Sequence, residues 1–136
     1  MREQYEIMNL TEIKNGNFWT YGDWCGASPD GQIKEDGLWE NKSKTRLNTI
    51  LNMLIERDKN LELTEKNNKQ HFWQVHFQLY VTGKDFCDYQ VGSDGFIPFI
   101  TRVYRDEEII KRIESKLEEV IPKIKRAIEL FEKYKL

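Results

Sequence analysis

The chain has 136 residues, 39% hydrophobic and 32% charged, with four Trp, six Tyr and seven Phe to fill an interior. That is enough chain for one domain with a real core and too little for two. A formal charge of −2 excludes a global basic field of the kind that advertises nucleic acid, although acidic metal ligands lower the total charge while a local groove stays basic.

Residues 1–17 are polar, and the "KNGN" at 14–17 reads as a turn, so the ordered core is expected to begin near Phe18. This start has no apolar stretch of signal-peptide length, and no run in the chain reaches membrane-spanning length, which points to the cytoplasm. "FWTYGDWCGA" (18–27) is aromatic-rich and suits a strand ending at the Ser28-Pro29-Asp30-Gly31 turn signal. Asp36-Gly37 then opens a second strand candidate, "GLWENKS" (37–43). Over Thr45–Glu56 the residues Leu47, Ile50, Leu51, Leu54 and Ile55 recur at helical spacing and predict a helix. The charged stretch 57–70 reads as a mobile loop.

Residues 71–83 are ambiguous. Trp73, Val75, Phe77, Leu79 and Val81 alternate as in a strand, yet the length and the closing Gly83 also suit a helix buried nearly all round. "FCDYQVG" (86–92) and "FIPFITRVYR" (96–105) read as paired strands joined by Ser93-Asp94-Gly95. Asp106 is placed to cap a long helix whose apolar stripe runs through Ile110, Ile113, Leu117, Val120, Ile121, Ile124, Ile128 and Phe131. Pro122 is expected to kink or split it. The stripe is most simply a face packed on the sheet, with length to spare for a subunit contact. Cys25 and Cys87, without paired spacing or a nearby His, read as reduced, partly buried thiols of an intracellular protein rather than a disulfide or zinc site.

Chemistry concentrates in "GASPDGQIKEDGLWENKSK" (26–44). Strand side chains alternate, so Leu38, Glu40 and Lys42 share one face and Trp39, Asn41 and Ser43 the other. If Asp30 ends an antiparallel partner strand, its carboxylate approaches Glu40. Two carboxylates and a backbone carbonyl form a hard, all-oxygen set suited to Mg²⁺ or Mn²⁺, and the Lys42 ammonium is placed to orient water and stabilise charge on a phosphate. The bland reading is a solvated pair on a sheet face. Glu-x-Lys alone carries no information, since it also occurs at Glu12/Lys14 and Glu114/Lys116.

"GASPDG", the ten-residue step from Asp30 to Glu40, and "LWENK" together resemble the core of the PD-(D/E)xK nuclease superfamily. "WQVHFQLYVTGKDFCDYQV" and "RVYRDEEIIKRIESKLEEVIPKI" narrow the resemblance to the YqaJ-type viral recombinase family, which includes phage lambda-type alkaline exonucleases. The resemblance runs from about residue 18 to the end. It implies an α/β fold, a small mixed central sheet flanked by helices with a restriction-endonuclease-like core, and a single nuclease-like domain over 18–136 after the polar segment 1–17. It also implies a Mg²⁺-dependent nuclease, with Mn²⁺ substituting, that cuts DNA 5′→3′ from duplex ends in phage-type recombination. By position Asp30 and Glu40 match the metal-binding acids, Asn41 the backbone-carbonyl ligand, and Lys42 the catalytic lysine. Gln74 matches a glutamine on the helix behind the site, so 71–83 is expected to be helical.

Family members carry additional helices before the first core strand, with a further acid and groups for the 5′ phosphate. Only some 17 residues precede Phe18 here, and Glu3, Glu6 or Glu12 would have to supply that acid. Lys44 and Arg46 read either as phosphate contacts or as a solvated helix start. Gln78 is one helical turn from Gln74 and is expected to face the same groove. His71 and His76 are expected to pack or touch DNA rather than bind metal, Asp23 to sit in a turn, and Trp73, Phe77 and Tyr80 to lie in the core. A ring-shaped homo-oligomer or a partner recombination protein fits the same resemblance. The alternative is a non-catalytic phage accessory or inhibitory binding protein, or an endonuclease, on the same fold.

Overall fold

The computed structural model describes residues 1–60 and 62–136, so that Leu61, inside the stretch read as a loop, lies outside the described residues. The chain divides into two compact units, Met1–Arg105 and Asp106–Leu136. The first begins with α1 (Arg2–Asn9), β1 (Ile13–Asn15), β2 (Trp19–Tyr21), β3 (Cys25–Ala27), β4 (Gly31–Ile33) and β5 (Gly37–Ser43). It continues with α2 (Leu47–Asp58), α3 (Lys69–Thr82), β6 (Phe86–Gly92) and β7 (Phe99–Tyr104), and the second unit is the helix α4 (Glu107–Tyr134).

Five strands form one mixed sheet in the order β1-β4-β5-β6-β7, antiparallel throughout except for the parallel pair β5 and β6. A parallel pair needs a crossover, and α2 and α3 provide it. In this central pair Gly37–Ser43 matches Phe86–Gly92 residue for residue, so Glu40 sits opposite Tyr89 and Lys42 opposite Val91. The period-two alternation then sends two sets of side chains to opposite faces. Leu38, Cys87, Tyr89, Val91 and Val103 pack on Met53 of α2 and on Val75 and Leu79 of α3. Trp39 and Phe86 pack with Ile33, Ile13 and Tyr5 on the other side.

That second face corrects the expectation that the ordered core begins near Phe18. Residues 2–15 form α1 and β1, with Tyr5 and Ile13 1% and 0% exposed. The Tyr5 hydroxyl donates to the buried Asp88 carboxylate. Arg102, the cross-strand partner of Asp88, donates to the same carboxylate through Nε at 2.7 Å and Nη2 at 2.9 Å. Gln90 adds a second tie, accepting from Trp39 Nε1 at 3.3 Å and donating to the Met1 carbonyl at 3.0 Å. Burial and the adjacent Asp88 push the Tyr5 phenol up, so it stays a donor.

Three further expectations change. Residues 18–27 are not one strand but the hairpin β2–β3, a separate two-stranded sheet lying against α3, turned at Gly22 with φ +64°. Asp30 does not end a strand; it immediately precedes β4, which at three residues is too short to signal itself in the sequence. In α2, which runs to Asp58, Ile50, Met53 and Leu54 turn inward, whereas Leu47, Leu51 and Ile55 are exposed.

The 71–83 segment is helical, and Gly83 ends it in the left-handed region at φ +69°. Its buried residues are Phe72, Val75, His76, Gln78, Leu79 and Val81, while Trp73, Phe77 and Tyr80 are only half-buried instead of core. Asp106 caps α4 by accepting from Glu108 N and Ile109 N, and the helix is continuous through Pro122 rather than split. Its buried positions are Ile110 and Ile113; Ile124, Ile128 and Phe131 are exposed. Cys25 and Cys87 are free and buried.

Because Tyr5 fills the second face and also satisfies Asp88, Tyr5→Ala should lower unfolding free energy by about 3–5 kcal/mol, the range for deleting a large buried aromatic. Tyr5→Phe, which keeps the ring and leaves Asp88 to Arg102, should cost only about 1–2 kcal/mol. Urea denaturation of the two variants checks both values, and equal losses would show that the hydroxyl rather than the ring dominates.

Candidate functional site

Glu40 organises the site. It lies in the central strand β5 on the face covered by α2 and α3, only 3% exposed. A carboxylate at that depth needs donors on both oxygens, and the neighbouring elements supply them. Lys42 Nζ, two residues along the same face, donates to Oε1 at 2.9 Å. Gln74 Nε2 on α3 donates to the same oxygen at 3.0 Å, and Gln78 Nε2, one turn further, donates to Oε2 at 3.1 Å. Lys42 Nζ also donates to Gln74 Oε1 at 2.8 Å, which closes a three-membered ring of Glu40, Lys42 and Gln74. The Lys42 side chain retains 22% of its exposure, so the ring opens to solvent at the ammonium end.

Asp30 joins from the adjacent strand. The β4–β5 register pairs Gly31 with Trp39, so the next step sets Asp30 opposite Glu40. Its Oδ2 accepts from the backbone N–H of Asn41 at 2.9 Å, which fixes the carboxylate while the residue remains exposed. The buried Cys87 thiol is pushed well above its ordinary value by burial, then by the nearby carboxylates of Glu40, Asp88 and Asp30. Gln78 Oε1 is buried without a hydrogen-bond partner and leaves an acceptor beside Glu40 for a water or a hydroxyl.

The structure thus brings together Asp30, Glu40, Lys42 and Gln74, adds Gln78, and uses the amide of Asn41. Arg46 instead occupies the N-cap position of α2, exposed. Lys44 continues the β5–β6 pairing through its N–H to the Gly92 carbonyl at 2.8 Å. Asp23 lies exposed in the β2–β3 turn. Glu6 is committed elsewhere: it accepts from Ile13 N at 2.9 Å and Arg2 Nε at 3.0 Å, and these bonds hold its carboxyl below the usual range. Glu3 and Glu12 are exposed.

Among the described residues no group of three or more His, Cys, Asp or Glu side chains converges on a point. The available donors are the carboxylates of Asp30 and Glu40 from neighbouring strands, with peptide oxygens beside them. This all-oxygen set fits a hard divalent cation and not a soft one.

His71, one turn before Gln74, accepts at Nδ1 from Asn68 Nδ2 at 2.9 Å and meets the Tyr89 hydroxyl at 2.6 Å. With the Asn68 amide as donor, Nδ1 must be unprotonated and the proton of the neutral ring sits on Nε2. Burial lowers its pKa from 6.5 to about 4, helped by the positive charges of Lys42 and Lys44. His76 is buried on α3, with its ring 4.5 Å from that of Phe72.

No family model matches the sequence, and no curated protein matches it. Among solved structures, the alkaline exonuclease LHK-Exo from Laribacter hongkongensis is similar, with a TM-score of 0.80 at 22% identity over 97% of this chain and 66% of that one. The same exonuclease in complex with dAMP gives the same values. This chain therefore spans 66% of that exonuclease's length and shares its fold, a mixed sheet flanked by helices as expected.

The His71 shift carries a pH dependence. Between about pH 6.5 and 4 the unfolded chain binds a proton that the folded chain refuses, so stability is fully present above 6.5 and falls as the pH drops through this window. Urea midpoints should decline on acidification from about pH 7 to about pH 5, and His71→Gln should reduce that slope. An unchanged slope in the variant would assign the decline to other groups.

Proposed function

We propose that this chain is a metal-dependent deoxyribonuclease that hydrolyses DNA phosphodiesters, acting 5′→3′ on duplex ends in phage-type recombination. The observation that carries the reading is the closed Glu40–Lys42–Gln74 ring with Asp30 set opposite it by strand register. The fold shared with an alkaline exonuclease supports it. Asp30, Glu40 and the carbonyl of Asn41 would hold Mg²⁺, or Mn²⁺ in its place. When bound, the ion neutralises phosphate charge and acidifies water.

The protein's own groups divide the remaining work. Lys42 donates to the phosphate oxygens as a water oxygen bonds to phosphorus and the bond to the leaving sugar oxygen breaks, so charge accumulates where an ammonium already stands. Gln74 holds that ammonium by accepting one of its hydrogen bonds and holds Glu40 by donating to it. Gln78 fixes the second Glu40 oxygen, which leaves the carboxylate little freedom to rotate. Lys44, whose charge reaches His71, and Arg46 at the start of α2 would bind flanking DNA phosphates. The same reading places the protein in the cytoplasm of a phage or prophage host, as a ring-forming homo-oligomer or with a partner recombination protein.

One observation favours the rival reading of a non-catalytic binding protein. Glu40 is almost fully buried with both oxygens already accepting, a state stable without any ion. Mg²⁺ or Mn²⁺ titrated into the purified protein separates the two, since only the nuclease binds it.

Lys42→Gln keeps a donor for Glu40 but removes the charge, and should reduce Mg²⁺-dependent cleavage of linear duplex DNA by roughly a hundredfold or more. The wild type should degrade linear duplex and spare closed circles. Full activity in the variant would overturn the site assignment, and equal cutting of circles would make the protein an endonuclease.

A further inference from the structure

The row of α3 side chains that reaches Glu40 does not end at Gln74. His71 stands one turn before Gln74, and helix residues three or four apart share one face. Its surroundings fix the ring. Asn68, the N-cap of α3, accepts from the His71 N–H at 3.3 Å and donates through Nδ2 to the ring Nδ1 at 2.9 Å. The Tyr89 hydroxyl meets the same Nδ1 at 2.6 Å, and Tyr89 is the register partner of Glu40. One asparagine thus caps the helix and sets the tautomer of a ring that stands beside the acidic site.

These bonds use only one edge of the imidazole. With Nδ1 accepting, the proton of the neutral ring sits on Nε2, and among the described residues no group accepts it. This nitrogen is not shut in: the ring is half-buried and Nε2 keeps access to solvent. Burial first, then the positive charges of Lys42 and Lys44, holds the ring neutral down to about pH 4. An unused N–H in a positive field suits an anion with several acceptor oxygens. The Lys42 ammonium, held one turn away by Gln74 Oε1 at 2.8 Å, is where the nuclease reading puts such an anion, a DNA phosphate.

We propose that His71 is a substrate contact whose Nε2–H donates to a non-bridging oxygen of the phosphate bound by Lys42. The proposal rests on the nuclease reading above and adds a second donor to its phosphate seat. The two donors differ in kind. Lys42 supplies charge from a flexible stem, whereas His71 supplies direction from a ring held at its other nitrogen. Because the ring stays neutral, Asn68 and Tyr89 keep hold of Nδ1 while Nε2 serves the DNA.

Two substitutions divide the ring. In His71→Gln the amide nitrogen takes the place of Nε2 and the tie at Nδ1 is lost, whereas the shorter side chain of His71→Asn reaches only the Nδ1 position. Binding of a short linear duplex DNA, followed by fluorescence anisotropy without divalent cation, should weaken roughly ten- to hundredfold in His71→Asn and much less in His71→Gln. The slope of log affinity against log salt should not change, because a neutral donor releases no counterion. In a Lys42→Gln background the His71→Asn loss should shrink, since the two groups hold one phosphate. The reverse order of the two variants, equal affinities in both, full additivity with Lys42→Gln, or no DNA binding by the wild type would each overturn the contact. Absence of Mg²⁺-dependent cleavage by a wild type that binds DNA would instead overturn the nuclease reading, and the order of the two variants would still decide the contact.

Discussion

The Glu40 carboxyl group stands in a place water barely reaches, and the requirement that both its oxygens be satisfied ties the local structure together. Desolvating such a group in its charged form costs several kcal/mol unless partners replace the lost water. Those partners come from two elements far apart in sequence: Lys42 on the same strand, and Gln74 and Gln78 on α3. For both glutamines to reach it, α3 must dock with one particular rotation, which also turns Val75 and Leu79 onto the sheet beside Leu38 and Cys87. Apolar packing and charge satisfaction thus demand the same placement, and such agreement is what selects one arrangement among many compact ones.

The legible parts were those where a local signal and the tertiary environment coincide. Residues 37–43 read as a strand because Gly37 starts the run and apolar residues crowd its first half, and the two-residue period put Glu40 and Lys42 on one face. In α2 the helix was plain, but apolar residues at 47, 50, 51, 53, 54 and 55 cover more than one face, so the pattern did not reveal that Met53 points inward and Leu47 outward. Periodicity also failed in α3, where alternating large residues imitate a strand although Trp73, Phe77 and Tyr80 are only half-buried; the resemblance to a known family supplied its helical state. The joining of Asp30 to Glu40 was legible only as a condition, since it depends on the register of a strand three residues long.

Residues 1–17 were misread for a different reason. Tyr5 and Ile13, the buried apolar residues of this polar segment, stand eight apart and make no periodic pattern, and Asp88 and Arg102 offer the Tyr5 hydroxyl a partner that only the folded sheet assembles. The sheet consequently has two unlike faces. The α2/α3 face combines an apolar core with the acidic cluster, and the α1 face carries a polar layer of Asp88, Arg102 and Gln90 around Trp39 and Phe86.

The Tyr5–Asp88 bond joins residues 83 positions apart. A chain made from its N-terminus exposes α1 long before β6 and β7, so during synthesis the Tyr5 hydroxyl has no partner until Asp88 and the Arg102 that holds it have emerged. Helix α1, at eight residues, is too short to persist alone in water. Helix α1, made before the strands that seat it, is thus among the last elements to be fixed, and its docking reports that the central parallel pair and its antiparallel neighbour have closed. Contacts of such long sequence separation slow folding, and they make α1 a late lock on the sheet.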